Sequence, residues 1–213
     1  MRDVYHEELN SIGSTLIEMT GLVGTAMTRA TAALLEADLQ VAESVISADD
    51  AVDALQQALD ARALDLLARQ QPVAGDLRTI ITSLRMSADL ERMGDLARHV
   101  AKVARLRYPE LAIPEHLRDT IAAMGRVAGE LAQKTAQIIE GRDVDAAREL
   151  PVDDDEMDTL HRALYAALLD NKSEYTVETA VDVTLIGRYY ERFADHAVSV
   201  SKRLVFLVTG EHD

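Results

Sequence analysis

The feature that most constrains this chain is that it is written twice. Apolar residues Met86, Leu90, Met93, Ala97 and Val100 recur as Ile186, Tyr190, Phe193, Ala197 and Val200, each shifted by 100 positions. Polar residues keep the same offset: Glu91-Arg92, Asp95 and Lys102 return as Glu191-Arg192, Asp195 and Lys202. Earlier in each copy, Asp49-Asp50-Ala51-Val52-Asp53-Ala54-Leu55 corresponds to Asp154-Asp155-Glu156-Met157-Asp158-Thr159-Leu160 at an offset of 105. The five-residue difference falls between these segments, in loops where insertions are tolerated. A unit repeated in this way folds as a supersecondary module packed against its own copy.

The module is helical. Steps of four and three between apolar positions are the period of a helix with one buried stripe. The pattern predicts helices over about Asp3–Glu36, Leu39–Arg69, Pro72–Arg107, Pro114–Glu140, Asp143–Leu169 and Thr176–Thr209. In the second, the apolar positions are Val45, Ala48, Val52, Leu55, Leu59 and Leu66. Gly13, Gly21 and Gly24 weaken the first helix locally. Pro72 is suited to open the third, and Pro151 is expected to kink or split the fifth. Arg98, Lys102 and Arg105 fall in the last turns of the third, where positive charge suits the helix dipole. Tyr108–Pro114 reads as a linker, Gly141 as a break, and Asp170-Asn171-Lys172-Ser173 as a turn. The fold expected is all-α: two tandem three-helix bundles related by internal duplication, residues 1–108 and 109–213. With 48% apolar residues but only two Phe and no Trp, the core must be built from Ala, Leu, Val and Ile, which suits closely packed helices.

Charge narrows the function. A net charge of −15, from 37 acidic against 22 basic residues, repels phosphate backbones, so direct nucleic-acid binding is not expected. Without cysteine there are no disulfides, thiolate metal sites or cysteine nucleophiles. The N-terminus is charged from Arg2-Asp3 onward and does not resemble a signal peptide. Apolar runs such as Leu204–Val208 are far short of the roughly 18 residues that span a bilayer. A soluble protein is expected, reaching a membrane only through a partner.

Each half carries two acid pairs spaced i, i+4, which places both carboxylates on one helical face. They are Asp49 with Asp53 and Glu91 with Asp95 in the first half, and Asp154 with Asp158 and Glu191 with Asp195 in the second. Each pair sits one residue beyond its helix's apolar stripe, a rotation of about 100° that leaves it beside the groove between helices. Two neighbouring helices could then bring four carboxylates together. Such a group needs a cation or bound protons, and oxygen-only ligands suit magnesium, calcium, manganese or iron. The alternative is a solvated acidic face on an acidic protein.

Catalytic uses of carboxylates find less support. A di-iron oxidase bundle needs Glu-x-x-His on two helices, and the nearest approach beside the acid pairs is Asp158-x-x-His161. His161, His99 and His196 lie near acids, but a lone helical histidine is more often a packing or surface residue. There is no glycine-rich phosphate loop or nucleophile elbow. A carboxylate-bridged metal enzyme and a purely structural adaptor without metal are the rival readings. Arg78, Arg85 and Arg92 recur every seven residues on one face, either paired with nearby acids or forming a contact patch for an acidic partner.

These signatures resemble the PhoU family of phosphate-signalling regulators. Gln71-Pro72-Val73-Ala74-Gly75-Asp76-Leu77-Arg78 is similar to that family's entry into its third helix. Asp89-Leu90-Glu91-Arg92-Met93-Gly94-Asp95 resembles its first acidic motif, and Tyr190-Glu191-Arg192-Phe193-Ala194-Asp195-His196-Ala197 its second. The resemblance implies a non-enzymatic, cytoplasmic negative regulator of the phosphate-starvation response. It would couple the Pst phosphate ABC transporter, through its ATPase subunit, to a PhoR-type sensor histidine kinase. It also implies metal, such as iron, zinc, manganese or magnesium, on Asp49, Asp53, Glu91, Asp95, Asp154, Asp158, Glu191 and Asp195. A homodimer is expected.

Overall fold

The computed structural model describes residues 2–170 and 175–211. Among them run α1 (Arg2–Glu36), α2 (Leu39–Gln70), α3 (Ala74–Arg107), α4 (Arg118–Gly141), α5 (Val144–Asp170) and α6 (Val177–Thr209), with a single 3-10 turn at Glu115–Leu117. The turn expected at Asp170–Ser173 lies almost wholly outside the described residues.

The duplication holds down to single hydrogen bonds. Between α1 and α2, Ala37 takes the left-handed conformation, and Asp38 N–H donates to Ala33 O while the Asp38 carboxylate caps Val41 N–H. Between α4 and α5 the same positions, 105 residues on, repeat every step. Arg142 is left-handed, Asp143 N–H donates to Ile138 O, and the Asp143 carboxylate caps Ala146 N–H. Each aspartate satisfies a donor left over at a helix start. Gly141 is therefore the last helical residue, and the break falls at Arg142.

Two other boundaries differ from expectation. Pro72 precedes α3, which begins at Ala74 with Val73 as its cap. Helix α5 is not split by Pro151 but runs unbroken through it, eight residues in, its neighbours holding the helix against the one missing N–H. In α2, Ala48 is exposed rather than part of the buried stripe. Gly13, Gly21 and Gly24 lie within an unbroken α1.

Helices α1, α2 and α3 pack on one another, as do α4, α5 and α6, giving two tandem three-helix bundles. The bundles are joined by α1 against α4 and α3 against α6, so one continuous core runs through both. Met86, Leu90, Met93, Ala97 and Val100 are fully buried, and so are their counterparts on α6. Truncating one of the larger of these to Ala is expected to cost about 2–5 kcal/mol. The α1–α4 crossing is close because Gly125 faces Thr31, whose Cγ2 would lie 2.5 Å from any added Cβ. The Thr31 hydroxyl in turn meets the buried Tyr190 hydroxyl at 2.7 Å, linking α1 to α6.

Polar clamps fix α3 against α6. Asp89 accepts hydrogen bonds from His196 Nδ1 at 3.0 Å and Arg203 Nε at 2.6 Å. Burial alone would raise the Asp89 carboxyl, but these two bonds outweigh it and hold it below the ordinary carboxylate range. At the other end, Arg107 Nε pairs with Asp182 at 2.5 Å and its Nη1 with Glu178. Among the described residues no helix is long and apolar enough to cross a membrane.

Candidate functional site

Both acid sets face a groove between neighbouring helices, the first between α2 and α3, the second between α5 and α6. Within each set the carboxylates are close enough to disfavour one another's ionisation. Among the described residues, however, no three Asp, Glu or His side chains converge closely enough to hold a metal ion as they stand.

The first set is organised around a residue that the periodicity assigned elsewhere. Arg98 does not serve the C-terminus of α3. Its Nη1 lies 2.7 Å from Asp49 Oδ2, and its Nη2 pairs with Asp95 Oδ1. The Asp49 contact is charge pairing rather than an aimed hydrogen bond: Oδ2 is shielded from solvent and no donor points along it. Arg98 Nε is also buried without an acceptor, so the guanidinium is embedded in the groove. Asp49 is 6% exposed. Burial raises its carboxyl, Arg98 opposes that rise, and Asp53, Asp95 and Asp50 reinforce it. Glu91 is raised by burial and by Asp95, with Arg92 opposing. Gly94 supplies the room: a Cβ there would lie 2.9 Å from Asp49 Oδ1.

The second set has no such residue between its two helices, although Arg188 pairs with Glu191 Oε1 from within α6. The position matching Arg98 is Val198, packed against the core. Asp154 is pushed up to about 6 by burial first, then by Asp158, Asp195, Glu191 and Asp155. Glu191 is raised by burial and by Asp195, against the lowering influence of Arg188 and His161. Three buried atoms here have no hydrogen-bond partner: Asp154 Oδ1, Glu191 Oε2 and His161 Nε2. Asp158 and Asp195 are exposed, whereas Asp53 and Asp95 are half-buried. His161 occupies the place of Gln56 in the first half, and Gly187 makes room for it, with His161 Cδ2 3.3 Å from where a Cβ would be. The matching position on α3 is Ser87.

A family model for the PhoU domain matches twice, over residues 16–104 and 121–204. The chain belongs to the PhoU family. It is 49% identical over 210 residues to the phosphate-specific transport system accessory protein PhoU homolog 2 of Mycobacterium tuberculosis, covering 99% of each chain. Homolog 1 of Mycobacterium leprae is 48% identical over 210 residues, covering 99% of this chain and 95% of that one. The crystal structure of PhoU from Pseudomonas aeruginosa superposes with a TM-score of 0.85 at 27% identity, covering 97% of this chain and all of that one. The phosphate transport system regulatory protein PhoU of Streptococcus pneumoniae gives 0.88 at 27% identity, covering 98% and 99%.

The three arginines that share a face of α3 fare differently within this PhoU fold. Arg78 is taken up by α6, donating from Nε to Leu207 O at 3.1 Å with its guanidinium 6.0 Å from the centre of the Phe206 ring. Arg92 pairs with Glu91 and Asp95 at 3.6 and 3.2 Å. Arg85 is exposed and makes no ion pair among the described residues. The two residues that sequence reasoning missed, Arg98 and Gly94, did leave a signal. Laying the copies over each other exposes the mismatches Arg98/Val198 and Gly94/Ala194 beside otherwise matching acids.

Proposed function

We propose that this chain is a regulatory accessory protein of phosphate-specific transport that acts by binding rather than by catalysis. It holds the phosphate-starvation response off when phosphate is plentiful. In this reading it contacts the ATPase subunit of the Pst transporter and a PhoR-type sensor histidine kinase, and carries the transporter's state to the kinase. It works in the cytoplasm as a homodimer. The observation that carries the proposal is the PhoU domain matched in both halves, with full-length relatives named as accessory proteins of phosphate transport. Of the three arginines first singled out, Arg85 is the one left for a partner.

The acid sets supply its cation chemistry. In the second half, Asp154, Asp158, Glu191 and Asp195 would hold a metal whose positive charge neutralises them and ties α5 to α6. Asp154 Oδ1 and Glu191 Oε2, buried without hydrogen-bond partners, suit that role. The first set does not fit a metal as it stands, because Arg98 already pairs with Asp49 and Asp95.

The test is removal of the gene from its host, with phosphate uptake and a phosphate-starvation reporter followed in rich phosphate. The expected result is reporter expression without starvation, restored to the off state by the intact gene. The kinase and ATPase subunit should be captured by the purified protein. An unchanged reporter, with no paralogue present to cover the loss, would rule the proposal out.

A further inference from the structure

We infer that Arg98 takes the place of a metal ion in the first acid site, so that only the second site of this chain is open to one. The inference rests on reading the acid sets as cation sites. It departs from the symmetry of the motif, which would give both halves the same occupant.

The geometry is that of an internal counter-ion. A guanidinium presents a planar fork of donors matched to carboxylates and is always charged. Arg98 uses two nitrogens on two different acids, Asp49 from α2 and Asp95 from its own helix. Its third nitrogen, Nε, is buried in the same groove. A metal between Asp49 and Asp95 would have to displace this group and sit within a few ångströms of a full positive charge. Ejecting it would also demand a hydrated path outward, yet its side chain is only 27% exposed. Gly94 belongs to the same arrangement, since an added Cβ would crowd the Asp49 carboxylate that Arg98 meets.

In the second half each element of this plug is absent. Val198 carries no charge, Ala194 replaces the glycine, and Asp154 Oδ1, Glu191 Oε2 and His161 Nε2 are buried without partners. His161 adds an imidazole near Glu191, where the first half has only Gln56. One copy has closed its site with a cation that joins both helices; the other has only Arg188, which pairs with Glu191 from the same helix and leaves Asp154 without a counter-charge.

The experiment is metal stoichiometry on the full-length, untagged protein. It is dialysed against manganese(II), or against zinc(II), and then analysed for bound metal. D49N/E91Q should retain as much metal as the parent, and D154N/E191Q should lose it. R98V, which copies position 198, should gain a further site that D49N/E91Q then abolishes. If R98V does not fold, R98Q serves, being uncharged but of similar polarity, with far-UV circular dichroism to verify the helices. Loss of metal in D49N/E91Q with Arg98 intact would overturn the inference, and so would R98V and R98Q acquiring no additional metal. A parent whose bound metal does not depend on Asp154 and Glu191 would instead defeat the reading of the second set as a cation site. In that case metal gained by R98V through Asp49 and Glu91 would still support the role of Arg98.

Discussion

At Asp49 the opposing charge is part of the chain, whereas at Asp154, its counterpart 105 residues on, burial and four neighbouring acids all push the same way. The helices, the stripes and the acid pairs are shared; what separates the sites is a handful of first-neighbour substitutions. A duplicated protein can keep a motif intact in both copies while changing the electrostatics that decide what each motif does. In the first site Arg98 offsets part of the cost of ionising Asp49 from within the chain. The second is under electrostatic tension until protons or a cation relieve it.

The sharpest way to break this comparison is to give the first site the second site's residue. R98V leaves Asp49 buried among Asp53, Asp95 and Asp50 with no counter-charge. Breaking a largely buried pair in this way is expected to cost about 3 kcal/mol. Val198→Ala, the matching change in the other half, removes only part of a half-buried apolar side chain and is expected to cost about 1 kcal/mol. Urea denaturation of the metal-free proteins measures both. Equal losses would mean that Arg98 is a packing residue and the two sites are alike.

The next largest effect differs in size between the two halves. In metal-free protein near pH 8, D154N removes a half-buried carboxylate that nothing offsets, and should stabilise by about 1 kcal/mol. Asp49 is raised in the same direction, but Arg98 opposes the rise and loses its partner in D49N, so that variant should stay within about 0.5 kcal/mol of the parent. The pH dependence follows from the direction of the Asp154 shift. A carboxyl raised in the folded state binds its proton more tightly there than in the unfolded chain. The cost of ionising it is therefore absent below the ordinary carboxylate value of 3.8, grows as pH rises, and is complete above about 6. Metal-free parent should lose stability across that interval relative to D154N. Stability curves that run parallel from pH 4 to 8 would show that Asp154 ionises without difficulty.

The sequence made the duplication, the helices and the eight acids legible because each is a matter of spacing, and spacing along a helix fixes which residues share a face. It did not reveal Arg98. A basic residue three positions after Asp95 on a charged helix reads equally well as a dipole partner or as a surface ion pair, and only the position of α2 decides. The roles of Asp38 and Asp143 as caps follow from their side chains, but the left-handed Ala37 and Arg142 before them carry none of the glycine or asparagine that announces such a conformation. The unsplit α5 has a similar origin. Pro151 is a local breaker, but Leu150 and Met157 on either side of it are fully buried, and tertiary packing outweighs the missing hydrogen bond.

The smallest effects come from the two glycines, and they sharpen the comparison most finely. Gly187→Ala would bring a methyl 2.8 Å from Leu164 Cδ2 and 3.3 Å from His161 Cδ2. Leu164 is buried, so its displacement is expected to cost about 2 kcal/mol, against about 1 kcal/mol gained in helix propensity. A net loss near 1 kcal/mol is predicted, with a measurable change in the His161 ring environment by NMR. Gly94→Ala meets Asp49 Oδ1 at 2.9 Å, with Val52 and Val23 side chains at 3.5 and 3.6 Å, which is ordinary contact. Only the carboxylate must move, so the propensity gain should nearly cancel the cost and leave stability within about 0.5 kcal/mol of the parent. What should change is the coupling: with Asp49 pushed aside, R98V should cost measurably less in the G94A background than alone. Additive losses in that double-mutant cycle would mean that Gly94 and Arg98 do not act on Asp49 together, and the first site would then owe its closure to Arg98 by itself.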